Sequence, residues 1–375
     1  MAAPAALTRA WRSWNGPDRL HGIDLARALA VIGMFAAHLL TIEDPVILFA
    51  PQTWIGVVDG RSSILFAVLA GVSIALVTGG RTPHGGIRLR TDRRRLAIRA
   101  VALWGIGLLL IQTTVPIYGI LPAYGILFLL AIPIVRLPVA ALWAVAGSVA
   151  LIVPWVLPDL DALPIWNGDV GEAAFFVVGW AYPFPLWIAF VAAGIALGRT
   201  DLRSLAVQVN LLAGGLAAAT VAGMAALAVD VSGAALADPL LGRVLSNEPH
   251  SGGLIEVVGS GGFAVAVLGA CLLVCRTPLT WVVLPLRAVG SMPLTAYVLH
   301  VVIWAVAGLA LIGDPSDLFA FRALEPFWWF VVGIVLFCTA WALLAGQGPL
   351  ERALVALARR LAPVEAEPVA GRVDK

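Results

Sequence analysis

Apolar residues in this chain gather into blocks of about twenty, separated by short segments rich in Arg, Asp, Gly and Pro. A run of that length, coiled as an α-helix rising about 1.5 Å per residue, matches the roughly 30 Å of hydrocarbon in a bilayer. Ten such helices are predicted, at roughly 22–42, 62–79, 95–113, 117–135, 138–157, 173–197, 205–229, 254–275, 290–312 and 326–345. The connections alternate in sign. Arg9, Arg12 and Arg19 precede the first run, while 43–61 holds Glu43, Asp44 and Asp59 against Arg61. Segment 80–99 holds seven arginines against Asp92, and 158–172 holds Asp159, Asp161, Asp169 and Glu172 with no base. Arg199 and Arg203, an acidic 230–253, Arg276 and Arg287, an acidic 313–325 and a basic tail complete the series. Arginine-rich connections stay on the cytoplasmic side. The expectation is therefore an all-α polytopic membrane bundle of about ten transmembrane helices with both termini cytoplasmic.

A cytoplasmic segment 1–21, one transmembrane domain 22–345 and a cytoplasmic tail 346–375 are expected, the tail opening with an amphipathic helix from Glu351 to Leu361. No small-residue cleavage site follows the first apolar run, which reads as a retained signal anchor. Composition agrees: among 375 residues, 61% are hydrophobic and 12% charged, which excludes an ordinary soluble domain. Cys271, Cys275 and Cys338 all fall in apolar runs and read as buried thiols, with no disulfide framework and no metal-ligand spacing.

Polar residues inside the apolar runs carry the candidate chemistry. An ionisable side chain at membrane depth costs about 2.5–3.5 kcal/mol on insertion scales, so it faces a bundle interior or a cavity. The first run contains Asp24, Arg27 and His38. At about 100° per residue, Arg27 and His38 lie within about 20° of one face and about 16 Å apart along the axis, with Asp24 about 40° off that line. His38 then falls in the outer half, either as a general base or transient acyl acceptor or as the cap of a hydrogen-bond network. Asp59 opens the second helix, where it either caps backbone donors or orients a histidine, with Arg61 beside it as an acceptor or oxyanion contact. Thr295, Tyr297 and His300 sit near mid-membrane in the ninth run, as helix-packing groups or as part of a path. His250, in the outer loop Pro249–Gly253, is either a rival base or simply solvated.

The pattern Arg27, ten residues, His38 is similar to the first-helix signature of the acyltransferase-3 family. Four stretches, GIDLARALAVIGMF from Gly22, DGRSSILFAVLAGVSIAL from Asp59, AYPFPLWIAFVAAGIALGR from Ala181 and LRAVGSMPLTAYVLH from Leu286, resemble bacterial relatives of heparan-alpha-glucosaminide N-acetyltransferase and the YeiB-like proteins. The resemblance implies transfer of an acyl, usually acetyl, group from cytoplasmic acetyl-CoA to a hydroxyl or amine of an extracytoplasmic glycan or envelope acceptor. It implies a bacterial plasma-membrane enzyme in contact with lipid, with no nucleic-acid partner, and compatible with a homo-oligomer. The heparan enzyme has asparagine where this chain has His38, and its proposed catalytic histidine lies in the loop that follows. Segment 43–61 here has no histidine, so the catalytic role passes to His38, His250 or His300.

In that setting the cluster Arg88, Arg90, Arg93, Arg94, Arg95 and Arg99 either orients the chain or meets the CoA phosphates, with Arg95, Arg99 and Arg27 the closest candidates. Tyr297 and Arg61 are the substrate-side candidates, and Trp166, Trp180 and Trp187 could stack on sugars. A secondary transporter or lipid-linked glycan flippase, with Asp24, Arg27, His38 and His300 as a substrate or proton path, is the alternative. A non-catalytic envelope scaffold is a third reading.

Overall fold

A backbone in hydrocarbon has no water to bond, so it must satisfy its own N–H and C=O groups, and helices do this within one segment. The computed structural model describes residues 2–42 and 50–363, and among these every regular element is helical. In order these are α1 (Ala2–Asn15), α2 (His21–Leu39), a 3₁₀ turn (Pro51–Val58), α3 (Arg61–Val77), α4 (Gly86–Ile111), α5 (Ile120–Ile134) and α6 (Val139–Asp161). After a second 3₁₀ turn (Pro164–Trp166) come α7 (Gly168–Val178), α8 (Phe184–Gly198), α9 (Leu205–Ser232), α10 (Ala234–Ala237), α11 (Pro239–Val244) and α12 (Leu254–Val274). The chain continues through α13 (Leu279–Val282), α14 (Leu284–Ser291), α15 (Pro293–Leu311), α16 (Leu318–Ala323), α17 (Phe327–Ala345) and α18 (Pro349–Leu361).

Seven of the described helical stretches are long and apolar enough to cross a bilayer, and α5 and α8 are apolar but shorter. The chain is a membrane protein. Two expected helices are broken. The run 173–197 divides into α7 and α8 because Gly179, at φ +64°, ends α7 in a left-handed cap and Pro183 precedes the next helix. The run 290–312 divides at Met292, whose backbone leaves the helix (φ −137°, ψ 55°) ahead of Pro293, which has no N–H to continue the ladder. Thr295 therefore sits in the first turn of α15. Glu43, Asp44 and Lys375 lie outside the described residues, as does the tail beyond 363.

Lipid tails are as apolar as leucine, so helices in a membrane associate largely through close packing of small residues. The α3–α8 crossing shows it. A Cβ on Gly71 would meet the Val191 carbonyl, and one on Gly194 would meet the Val68 carbonyl. Gly290 of α14 lies so close to α2 that a Cβ there would overlap the Asp24 carbonyl. Cys271, Cys275 and Cys338 are all free thiols within this packing.

The polar connections sort to two ends. At the basic end, Arg203 donates to the Asp18 carbonyl, Arg276 to the Arg203 carbonyl at 2.7 Å and Arg95 to the Ala362 carbonyl at 3.0 Å, while Arg81 pairs with Asp201 at 3.2 Å. Buried Arg199 donates to the carbonyls of Ala75, Gly80 and Val135, which ties three helix ends together. The segment before the first span is itself a docked helix, with Trp14 of α1 buried and Trp11 stacked on Trp281. At the opposite end Asp161 receives Trp180 at 2.9 Å and Arg243 at 3.3 Å.

Replacing Gly71 with Leu forces two backbones apart, and overpacking of this kind costs about 1–3 kcal/mol. Thermal unfolding in detergent should show a clear drop in Tm for Gly71→Leu, and almost none for Gly214→Leu, where a Cβ meets no neighbour.

Candidate functional site

α2 carries polar groups at both ends. In its first turn Asp24, nearly inaccessible, accepts from Arg19 Nε at 2.5 Å and its second guanidinium nitrogen at 2.8 Å, and from Arg27 at 3.2 Å. Burial alone would lower the Arg19 pKa, but the Asp24 charge and hydrogen bond hold it above its ordinary value. Two guanidiniums on one carboxylate leave a net positive charge. Arg27 also donates to Ser73 Oγ of α3 at 2.6 Å.

These groups open on a cleft. One cavity of about 250 Å³ is lined by Arg27, Ser73, Tyr124, Ser291, Tyr297 and Glu351 among apolar side chains, and a neighbour of about 470 Å³ adds Arg19, Arg99 and Gln347. Both share Arg27, Leu103, Phe128, Ser291 and Glu351. The Tyr124 hydroxyl is buried here without a hydrogen-bond partner. Glu351, from α18, accepts from the backbone N–H groups of Leu294 and Thr295 at 2.8 and 3.0 Å and from the Thr295 hydroxyl at 2.6 Å. The C-terminal helix thus caps the N-terminus of α15, where free donors and the helix dipole favour an anion.

The last turn of α2 holds His38. Arg322 of α16 donates to the carbonyls of His38 at 3.0 Å and Ala37 at 3.1 Å, so a cation caps the negative end of the helix. His38 Nδ1 lies 3.1 Å from Nε2 of His300, and His300 Nδ1 lies 2.6 Å from the Tyr297 carbonyl. A carbonyl can only accept, so His300 carries its proton on Nδ1. Its Nε2 is then an acceptor when neutral, His38 must donate from Nδ1, and the His38 lone pair is left on Nε2. His300 is fully buried. His38 lines a cavity of about 220 Å³ together with Asp59, Ser62, Ser63, Tyr182, His250 and Arg322. Burial, with Tyr297 and Asp59 nearby, raises the Tyr182 pKa, and the protonated hydroxyl donates to the Tyr118 carbonyl at 3.0 Å.

The candidates read from sequence fall into three groups. His38, His300, Asp59 and His250 converge: the first two are in contact, and His250 Nε2 lies 3.8 Å from Asp59 Oδ1. The cap residue of α3 is Gly60, without a side-chain cap bond, and the Asp59 carboxylate before it stands beside the His250 ring. Arg27, Arg99 and Tyr297 line the cleft at the other end. Arg95 turns away, bonding the Ala362 carbonyl beside a cavity of about 70 Å³, and Arg61 lines neither the cleft nor the His38 cavity. Trp180 and Trp187 are buried and packed on Asp161 and Tyr182, which removes them as sugar platforms. Among the described residues no three His, Cys, Asp or Glu side chains converge as metal ligands. Arg322, Glu351, Tyr124 and Tyr182 escaped the sequence reading. Arg322 hid in a connection notable only for its acidity, and Glu351 in a tail with no apolar run to mark its partner.

Residues 19–229, more than half of the chain, match the family model described as heparan-alpha-glucosaminide N-acetyltransferase, catalytic. Residues 214–360 match the model described as protein of unknown function (DUF418). No curated protein matches the chain. Both matched regions line the cleft and the His38 cavity: Arg27, His38 and Asp59 come from the first, His250, Arg322 and Glu351 from the second, which also supplies His300 behind His38.

Loss of a helix-capping side chain typically costs about 0.5–2 kcal/mol. Glu351→Ala should therefore lower Tm, and Glu351→Gln, which keeps one acceptor oxygen, should lower it less; identical melting of all three proteins would show that α18 does not anchor α15.

Proposed function

We propose, from the premise that the chain belongs to the heparan-alpha-glucosaminide N-acetyltransferase catalytic family, that it carries an acetyl group from cytoplasmic acetyl-CoA to a hydroxyl or amine of an extracytoplasmic glycan or envelope acceptor. Family membership makes it a membrane acetyltransferase; donor, acceptor and sidedness are our reading. In this reading α2–α6, α8, α9, α12, α15 and α17 are the ten crossings, and the arginine-rich end with both termini faces the cytoplasm of a bacterium.

The observation that carries the proposal is the His38–His300–Tyr297 chain, with contacts of 3.1 and 2.6 Å. It fixes the tautomer and leaves His38 Nε2 as a free lone pair, the condition for a nucleophile or base at neutral pH. Tyr297 itself lines the cleft at the basic end, while His38 lines the cavity at the other. One helical turn, Tyr297 to His300, links the two. Arg19, Arg27 and Arg99 outnumber the carboxylates of Asp24 and Glu351 around the cleft, and the remaining positive charge suits the phosphates of CoA, since guanidinium donates paired hydrogen bonds to phosphate oxygens.

His38 Nε2 attacks the thioester carbonyl carbon; the N–C bond forms as the C–S bond breaks, and CoA leaves as thiolate. The His38 Nδ1 proton moves onto His300 Nε2, so the acetyl-imidazole is neutral while His300 holds the charge. Arg322, on the same cavity wall, is the cation closest to hand for a developing oxyanion. With acetyl transferred, His300 returns the proton.

Rapid mixing with radiolabelled acetyl-CoA should give a burst of acetyl-enzyme and released CoA in the wild-type protein and none in His38→Ala. Undiminished acetylation of an acceptor by His38→Ala would remove His38 from the chemistry, and no thioester turnover with any envelope extract would favour transport. His300→Ala should slow the burst about 10²-fold, as small misplacements of a reacting group do, with acetyl-CoA affinity unchanged. His300→Gln, whose carbonyl oxygen can still accept from His38 Nδ1, should recover part of the loss.

A further inference from the structure

The cavity around His38 holds more acid–base machinery than loading an acetyl group requires. His38 is complete for that step with His300 behind it, yet His250 and Asp59 line the same space. The fold takes trouble to put His250 there. Its backbone adopts φ +64° and Gly252 φ +68°, the left-handed region that a residue with a Cβ occupies at a cost. Buried Glu256 then holds the turn: it accepts from the N–H groups of His250 and Gly252, each at 2.7 Å, and from the Ser251 hydroxyl at 3.2 Å. A buried carboxylate committed to three donors of one turn places whatever that turn presents.

The turn presents an imidazole. The His250 ring stands edge-on to Tyr182, centroids 5.6 Å apart, with Nε2 3.8 Å from Asp59 Oδ1. The carboxylate stands on the Nε2 edge of the ring, and Nδ1, on the other side of the ring, is the nitrogen left to accept a proton. His38 and His250 have separate neighbours, His300 in hydrogen-bond contact with the first and Asp59 beside the second.

We infer that His250, oriented by Asp59, is the base that takes the proton from the acceptor while His38 carries the acetyl group. The inference rests on the acyl-transfer reading above. In the step, the acceptor oxygen or nitrogen bonds to the acetyl carbon and the carbon–Nε2 bond to His38 breaks. The acceptor proton goes to His250 Nδ1, and the His300 proton returns to His38 Nδ1. Summed with loading, acetyl-CoA and the acceptor give acetylated acceptor, CoA thiolate and one proton, the last released by His250 on the acceptor side. Double displacement needs a base at deacylation that is not the acylated residue itself, and a second imidazole in the same cavity meets that need.

The test separates the half-reactions. The full chain in nanodiscs is loaded with radiolabelled acetyl-CoA and freed of excess, and discharge of the label is followed in buffer alone, with glucosamine and with hydroxylamine. His250→Asn should load to the wild-type amplitude, which also reports that it is folded, and then discharge to water and glucosamine about 10²–10³-fold more slowly, the scale of a lost general base. Hydroxylamine, a nucleophile strong enough to need no base, should strip both proteins equally fast. Deuterated solvent should slow discharge of the wild type but not of the variant. Asp59→Asn should load normally and slow discharge less, and it carries the test if His250→Asn does not fold. Equal discharge to water and glucosamine by wild type and variants overturns the inference; a wild-type protein that never loads overturns instead the acetyl-His38 reading on which it rests.

Discussion

A charge in an apolar bundle has to be paired, and the pairing of Asp24 sets much of what surrounds it. The cost of stripping water from a carboxylate is recovered only with good geometry and several donors. Asp24 has three hydrogen bonds from two arginines, and its own backbone carbonyl lies against Gly290. The segment before α2, α2 itself and α14 therefore meet at one point. Arg27, fixed by that carboxylate, reaches on to Ser73 and ties in α3. The excess positive charge of the Arg19–Asp24–Arg27 group is a by-product of the same arrangement.

The other end of α2 follows a parallel logic with opposite sign. Four carbonyls at a helix C-terminus lack partners in the helix. Arg322 takes two of them and fixes the backbone that bears His38. The buried His300 then cannot be left with bare nitrogens, and the Tyr297 carbonyl on one side and His38 on the other satisfy both. The tautomer of the His38 imidazole is thus a consequence of hydrogen-bond satisfaction two groups away. The His38 tautomer is therefore set from α15, the helix whose N-terminus Glu351 caps.

Much of this was legible along the chain. Apolar run length marked most of the long helices, and the alternating charge of the connections anticipated the separation into a basic and an acidic end. The eleven-residue spacing set Arg27 and His38 near opposite ends of one helix, and they line different cavities. What escaped was pairing across long sequence distance. Nothing local to His38 names His300 as its partner, 262 residues away, nor Asp59 as the partner of His250. Helix breaks at Gly179 and Met292 were missed because both lie inside runs that are apolar on average, so hydropathy alone reads one run where Gly179, Pro183 and Pro293 make two helices. Arg95 and Arg99 looked equivalent one turn apart, but only Arg99 faces the large cleft, because Arg95 is taken by the carbonyl of Ala362.

The central claim is that one helix joins a donor cleft at the basic end to an acceptor cavity at the opposite end, with His38 between two compartments. Sidedness tests it most directly. Proteoliposomes carrying the wild-type protein and loaded with glucosamine are given radiolabelled acetyl-CoA only on the outside, and label is measured in each compartment. The account predicts acetylated sugar inside the vesicles, from the molecules whose arginine-rich end faces out, and none in a His38→Ala preparation. Acetylated product confined to the compartment that holds the acetyl-CoA, when glucosamine is supplied on both sides, would contradict it.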